Sequence, residues 1–172
     1  MLMPPSLHKF ALTAHITCSV GWLGAVIAYL VLGVSAVTSQ NTQTVRAAYV
    51  AMEVTGWFAI VPLALAALLT GLVMSLGTKW GLFRHYWVVI TLVLTILSTV
   101  VLLLHMPTVS VLADAAQAAD TAGLASLGGD LLHPAVGLLV LLAITALNVY
   151  KPRGLTPYGW RKQYAKHPGS QP

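Results

Sequence analysis

Charged residues are rare along this chain, and four long apolar runs lie between them. The first sits between Lys9 and Arg46 and is apolar from residue 10 to about residue 37. The second follows Glu53 and covers residues 54–76, the third covers residues 85–106, and the fourth lies between Asp130 and Lys151. Crossing a bilayer as a helix takes about 20 apolar residues. The pattern therefore predicts an all-α, transmembrane four-helix bundle over residues 1–150, with a basic tail over residues 151–172 that is extended and partly disordered. The first run begins after a basic residue, as a signal peptide does, but it is much longer than the roughly 7–15 apolar residues of a signal core. It is read as a retained helix.

The connections carry the turn chemistry. Ser39-Gln40-Asn41-Thr42-Gln43 is a polar turn, and Gly77-Thr78-Lys79-Trp80-Gly81 is a short breaker. The link from Pro107 to Asp130 is Ala-rich and acidic, with room for a short surface helix ended by Gly128-Gly129. Asp130 reads as the N-cap of the last helix, with Pro134 in its first turn, where a missing N–H costs little. Pro62 falls inside the second run and predicts a kink. Gly21 with Ala25, and Gly24 with Ala28, are small-residue pairs suited to close helix packing.

Charge then orients the bundle. Of the nine Lys and Arg residues, eight (Lys9, Lys79, Arg84, Lys151, Arg153, Arg161, Lys162 and Lys166) fall on the side of the two termini, and only Arg46 on the other. Basic loops stay in the cytoplasm, which predicts both termini inside and an inner-membrane location. Trp80, Tyr86, Trp87, Tyr150, Tyr158 and Trp160 suit an aromatic belt on that side. Composition agrees: 58% of residues are hydrophobic and 8% charged, against about 25% charged in soluble domains. The net charge of +5 belongs to the flanks of the spans, so nucleic acid is not a partner and the bilayer is. One cysteine, Cys18, excludes an internal disulfide. Neither a nucleotide loop nor a nucleophile constellation is visible.

Ionisable groups inside a membrane are costly and are functional candidates by default. His15, His85, His105 and His133 lie in or at the ends of the runs, whereas His8 and His167 lie outside them. His105 closes the third run and His133 opens the fourth, which places both at the outer level on antiparallel neighbours. Thr91, Thr95, Ser98 and His105 share one helical face within about 80°. His85 is about 200° around from His105 and suits the headgroups. Gly137 lies one turn below His133 and leaves room for a flat ligand. His15 lies at the inner level, with Ser19 and Trp22 on its face and Cys18 one turn above.

Two opposed imidazoles in an apolar slot can hold haem iron. The leading expectation is a b-type haem protein moving electrons within or across the bilayer. His105 and His133 would hold one haem, His15 with His85 an inner one, and Arg46, Lys79 or Arg84 would meet the propionates. A quinone or a redox protein would be the electron partner, and a homo-oligomer is compatible with the pattern. The alternative is a metal-handling or accessory protein without redox turnover. Zinc would bind to His105, His133 and Glu53, or copper would use Met106 or Cys18 as soft ligands. A quinol site with Glu53 and His105 as proton relays uses the same groups. A purely structural Glu53 would instead face Arg46.

Two resemblances follow from particular residues. His15 with Cys18 and Trp22-Leu23-Gly24-Ala25 resembles the first helix of copper-resistance D-type membrane proteins. Ala51-Met52-Glu53, Gly56-Trp57-Phe58, Gly81-Leu82-Phe83-Arg84-His85-Tyr86-Trp87, Leu103-Leu104-His105-Met106 and Tyr150-Lys151-Pro152-Arg153-Gly154-Leu155-Thr156 resemble a group of uncharacterised small bacterial integral membrane proteins. The second resemblance covers most of the chain and implies a four-helix membrane fold without an activity. The first covers one helix and implies metal handling.

Overall fold

The computed structural model describes residues 3–78, 81–120, 123, 124, 127 and 129–164. Lys79, Trp80, Gly128, Lys166 and His167, which carried expectations above, lie outside them. Helices α1 (Pro5–Thr38), α2 (Thr42–Gly77), α3 (Tyr86–Ala118) and α4 (Leu132–Tyr150) are each long and apolar enough to cross a membrane. A short α5 (Pro157–Tyr164) follows. The four long helices run up and down. Met3 packs against Gly77, and Thr156 pairs with the backbone at Arg84. Both ends of the described chain thus lie at one end of the bundle, here the terminal end. The α1–α2 turn and the segment before α4 form the opposite, link end.

The bundle buries little of itself. Only 17% to 28% of the residues in the most apolar window of each span are buried. Side chains such as Phe10, Phe58, Leu104 and Leu139 point outward. Water would penalise that surface, whereas lipid solvates it. Inside, Trp22, Tyr29, Met52, Ile60, Met106 and Leu141 anchor one continuous core.

Local chemistry explains the ends and the irregularities. The polar turn shrinks to Ser39–Asn41, because Asn41 Oδ1 accepts from the amides of Gln43 at 2.9 Å and Thr44 at 3.2 Å and so starts α2 at Thr42. Pro62 has no N–H and its ring crowds the carbonyl four residues back. The helix answers with a π-helical turn over Gly56–Ile60, where the Val61 amide reaches the Gly56 carbonyl instead. Gly56 also lets α3 come close, since a Cβ there would lie 2.6 Å from the Met106 methyl. Of the small-residue pairs, Gly21 packs on Leu63, whereas a Cβ at Gly24 would meet nothing within 4 Å.

Two expectations change. The third run does not stop at Met106; α3 continues through Pro107 to Ala118. The reason is packing: Val109, Ala113 and Ala116 are buried in the same stripe as Met106. Val109 and Ala116 lie in the core cluster with Val45, Ala48, Tyr49 and Met52 of α2. That burial offsets the one helical hydrogen bond lost at Pro107. Helices of 34, 36 and 33 residues are each about 50 Å long, beyond the roughly 30 Å hydrocarbon core. The second concerns residues 151–164 of the tail, which are not extended throughout but form α5 and dock on the bundle. Tyr86 donates to the Gly154 carbonyl and Thr156 to those of Phe83 and Arg84. Gly159 rests against the Arg84 carbonyl where a Cβ would clash.

Candidate metal centre

At the link end, a tight turn delivers a carboxylate into the bundle. Gly129 adopts φ +68°, a left-handed conformation that suits glycine. Its amide donates to the Tyr49 hydroxyl at 3.2 Å. The next residues press on Gly33 of α1, where a Cβ would lie 2.9 Å from Leu131 and 3.4 Å from the Asp130 carbonyl. Asp130 is therefore not the helix cap expected of it. Leu131 occupies that position without a side-chain hydrogen bond, and the Asp130 side chain turns inward.

Three side chains converge on that carboxylate. His105 Nε2 lies 2.6 Å from Oδ2, His133 Nδ1 lies 3.2 Å from Oδ1, and the Tyr29 hydroxyl donates to Oδ2 at 3.0 Å. The Asp130 side chain is 6% exposed, His105 15% and His133 52%. The imidazole rings stack with centroids 3.8 Å apart and planes 19° apart. The cluster thus runs from the half-exposed His133 to the buried Tyr29. Ligand atoms from His105, Asp130 and His133 all lie within 4.8 Å of one another. Bonds of about 2.0–2.2 Å in a tetrahedral zinc site put ligand atoms about 3.3–3.6 Å apart, so small side-chain movements would close the set.

Electrostatics makes this group unusual. A buried carboxylate in an apolar bundle is expensive unless paired. Among the described residues its ion-pair partners are two histidines, charged only when protonated. Beside the rings is an apolar cavity of about 390 Å³, to which Leu97, Val101, Val136 and Gly137 contribute. A Cβ on Gly137 would meet nothing within 4 Å.

The structure brings His105 and His133 together and keeps the other candidates apart. Glu53 is half-buried on α2 and belongs to no part of the cluster. Arg46 donates to the Ala119 carbonyl at 2.6 Å, capping the end of α3, and makes no ion pair with Glu53. Met106 is 1% exposed and packs its thioether on Gly56. Cys18 is a free, half-buried thiol. His15 bonds Thr70 at 3.0 Å rather than His85, which heads α3 and pairs its backbone with Leu155. Trp22 is buried and, with Leu141, lines both the apolar cavity and a second one nearer the terminal end. The stripe on α3 does face inward: Thr91 and Thr95 line the second cavity, Ser98 and His105 the first.

As arranged, the stacked rings leave no porphyrin plane between them, and both aim a nitrogen at one carboxylate; the pair does not fit a bis-imidazole haem without turning apart. The ligand atoms of the two rings and of Asp130 are close enough together that they could hold a metal ion.

Tyr29 and the inward role of Asp130 were not singled out in the sequence. The signals were there: Asp130 precedes His133 by three residues, one helical turn. Tyr29 continues the buried stripe of Trp22 and Val26 on α1. Comparison with protein-family models, characterised proteins and solved structures found no match.

Proposed function

We propose that this chain is a metal-handling membrane protein that binds a divalent transition metal, zinc first among them, through His105, Asp130 and His133. The observation that carries the reading is the buried Asp130 carboxylate with two imidazoles as its only ionic partners among the described residues. Asp130 supplies the negative charge, and the two imidazoles supply nitrogen donors that zinc accepts. The nitrogens that bind the metal must be free of protons: a neutral ring keeps its proton on the other nitrogen, and a protonated ring releases one to water, so binding weakens as the pH falls. Half-exposed His133 marks the side of entry, and Tyr29 holds the carboxylate from within.

Metal analysis of the purified protein tests this. About one zinc or similar ion per chain is expected, and Glu53→Gln should keep it, because Glu53 is outside the cluster. Metal lost in Glu53→Gln would return that residue to the ligand set.

The b-type haem reading, with electron transfer to a quinone or redox protein, is favoured by one feature: the apolar cavity left open at Gly137 beside the rings. It predicts a Soret band that shifts on reduction, whereas the metal reading predicts a protein without one.

The eight-to-one basic asymmetry supports an inner-membrane protein with both termini cytoplasmic. A C-terminal fusion should be active with a cytoplasmic reporter and silent with a periplasmic one. The reverse result would invert the topology.

A further inference from the structure

The chain does not trail away after α4. Lys151 ends that helix in a left-handed conformation, φ 44°, and the chain returns to the turn that precedes α3. The Tyr86 amide donates to the Gly154 carbonyl at 3.3 Å, and the Thr156 amide to the Arg84 carbonyl at 3.1 Å. The buried Thr156 hydroxyl has two roles. It donates to the Phe83 carbonyl and accepts from the Gly159 amide at 3.1 Å. It thus anchors the segment and caps α5, which opens on Pro157. Gly159 then sits on the Arg84 carbonyl, where a Cβ would clash. These contacts fix α5 to the terminal end of the bundle.

What the docked helix presents is cationic. Tyr158, Arg161 and Lys162 fall within about 100° of one another, and Arg161 is about 160° around from Gly159. The Lys162 ammonium lies 5.6 Å from the centroid of the Tyr158 ring. Lys151, Arg153, Arg161 and Lys162 are all exposed. No acidic side chain occurs in residues 54–113 or 131–172; all four belong to the link half. Exposed Tyr150, Tyr158 and Trp160 accompany the cations, and such aromatics favour the membrane interface.

We infer that docked α5 and the turn before it form a binding site for the headgroup of an anionic phospholipid, in the leaflet at the terminal end. An arginine guanidinium matches a phosphate with paired hydrogen bonds, and cations next to a span draw anionic lipids. The occupant is a lipid because the cations begin at the first residue after a span and stand among interfacial aromatics. Docking matters because it holds the cations at one place beside the bundle, which a loose basic tail does not. The site is separate from the metal centre and does not depend on it.

Native mass spectrometry of the full-length protein, released from detergent, resolves single bound lipids. Dioleoyl phosphatidylglycerol and dioleoyl phosphatidylcholine share their tails and differ in headgroup charge. The first phosphatidylglycerol is expected to bind at least about tenfold tighter, because each cation near the surface is worth about fivefold. The double variant Arg161→Gln/Lys162→Gln changes only exposed side chains and should lose most of that preference. Thr156→Val and Gly159→Val keep every charge but undock α5, which faster tryptic cleavage at Arg161 would report; they should lose at least about threefold. Equal affinities for the two lipids, full preference in the double variant, or full preference in an undocked variant would each overturn the inference. Displacement of phosphatidylglycerol by millimolar glycerol phosphate would also overturn it, in favour of a site for soluble phosphate compounds.

Discussion

Asp130→Asn is expected to weaken metal binding by at least about 100-fold, more than the roughly 10–100-fold typical when a group supporting a ligand is lost. Asp130 answers His105 and Tyr29 with one oxygen and His133 with the other. Asparagine keeps the shape but has one acceptor oxygen, no charge and an amide that zinc binds poorly. The fold should survive, because weakening the three charge-assisted hydrogen bonds, about 1.5–3 kcal/mol each, is offset by no longer burying a carboxylate. Tyr29→Phe is the companion. It leaves all three ligands and removes only the hydroxyl that holds Oδ2, so its loss of affinity should be about tenfold. Isothermal titration with zinc measures both. An Asp130→Asn protein that binds zinc like the wild type would remove the carboxylate from the site.

Gly129→Ala should destabilise the protein by about 2–3 kcal/mol and weaken the metal site with it. The residue sits at φ +68°, where an alanine pays about 1–2 kcal/mol. Its new Cβ would also collide with Val37 of α1. Relief requires moving the turn, and the turn carries Asp130. Gly24→Ala is the control, because it lies in a helix with nothing within 4 Å of the new Cβ. It should be neutral or stabilising by up to about 1 kcal/mol. Thermal unfolding in detergent, followed by helical circular dichroism, compares them. Equal effects would show that neither the turn conformation nor the Val37 contact matters.

What the sequence made legible was whatever depends on long-range averages. The four spans follow from charge-free runs longer than a bilayer needs, and the level of His105 and His133 follows from their places at adjoining span ends. Legibility ended where one position serves two chemistries. An aspartate before a helix is a cap by local rules, and only the left-handed Gly129 and the seat on Gly33 turn it inward. Pro107 reads as a terminator, yet buried Val109, Ala113 and Ala116 carry α3 beyond it. The tail reads as loose because Thr156 and Gly159 dock on carbonyls of residues 83 and 84, far away in sequence. Spacing also sets depth and rotation but not side-chain torsions. Opposed imidazoles holding a haem and stacked imidazoles sharing a carboxylate thus look the same until the rings are placed.

X-ray absorption at the metal edge reads the ligands of the bound ion. The zinc-loaded protein is expected to show a first shell of nitrogen and oxygen at about 2.0–2.2 Å, with the outer-shell scattering of two imidazoles and no sulfur. Asp130→Asn should remove that signal from stoichiometrically loaded samples. An iron–porphyrin spectrum from the protein as purified, a sulfur shell at about 2.3 Å, or zinc carrying fewer than two imidazoles would contradict it.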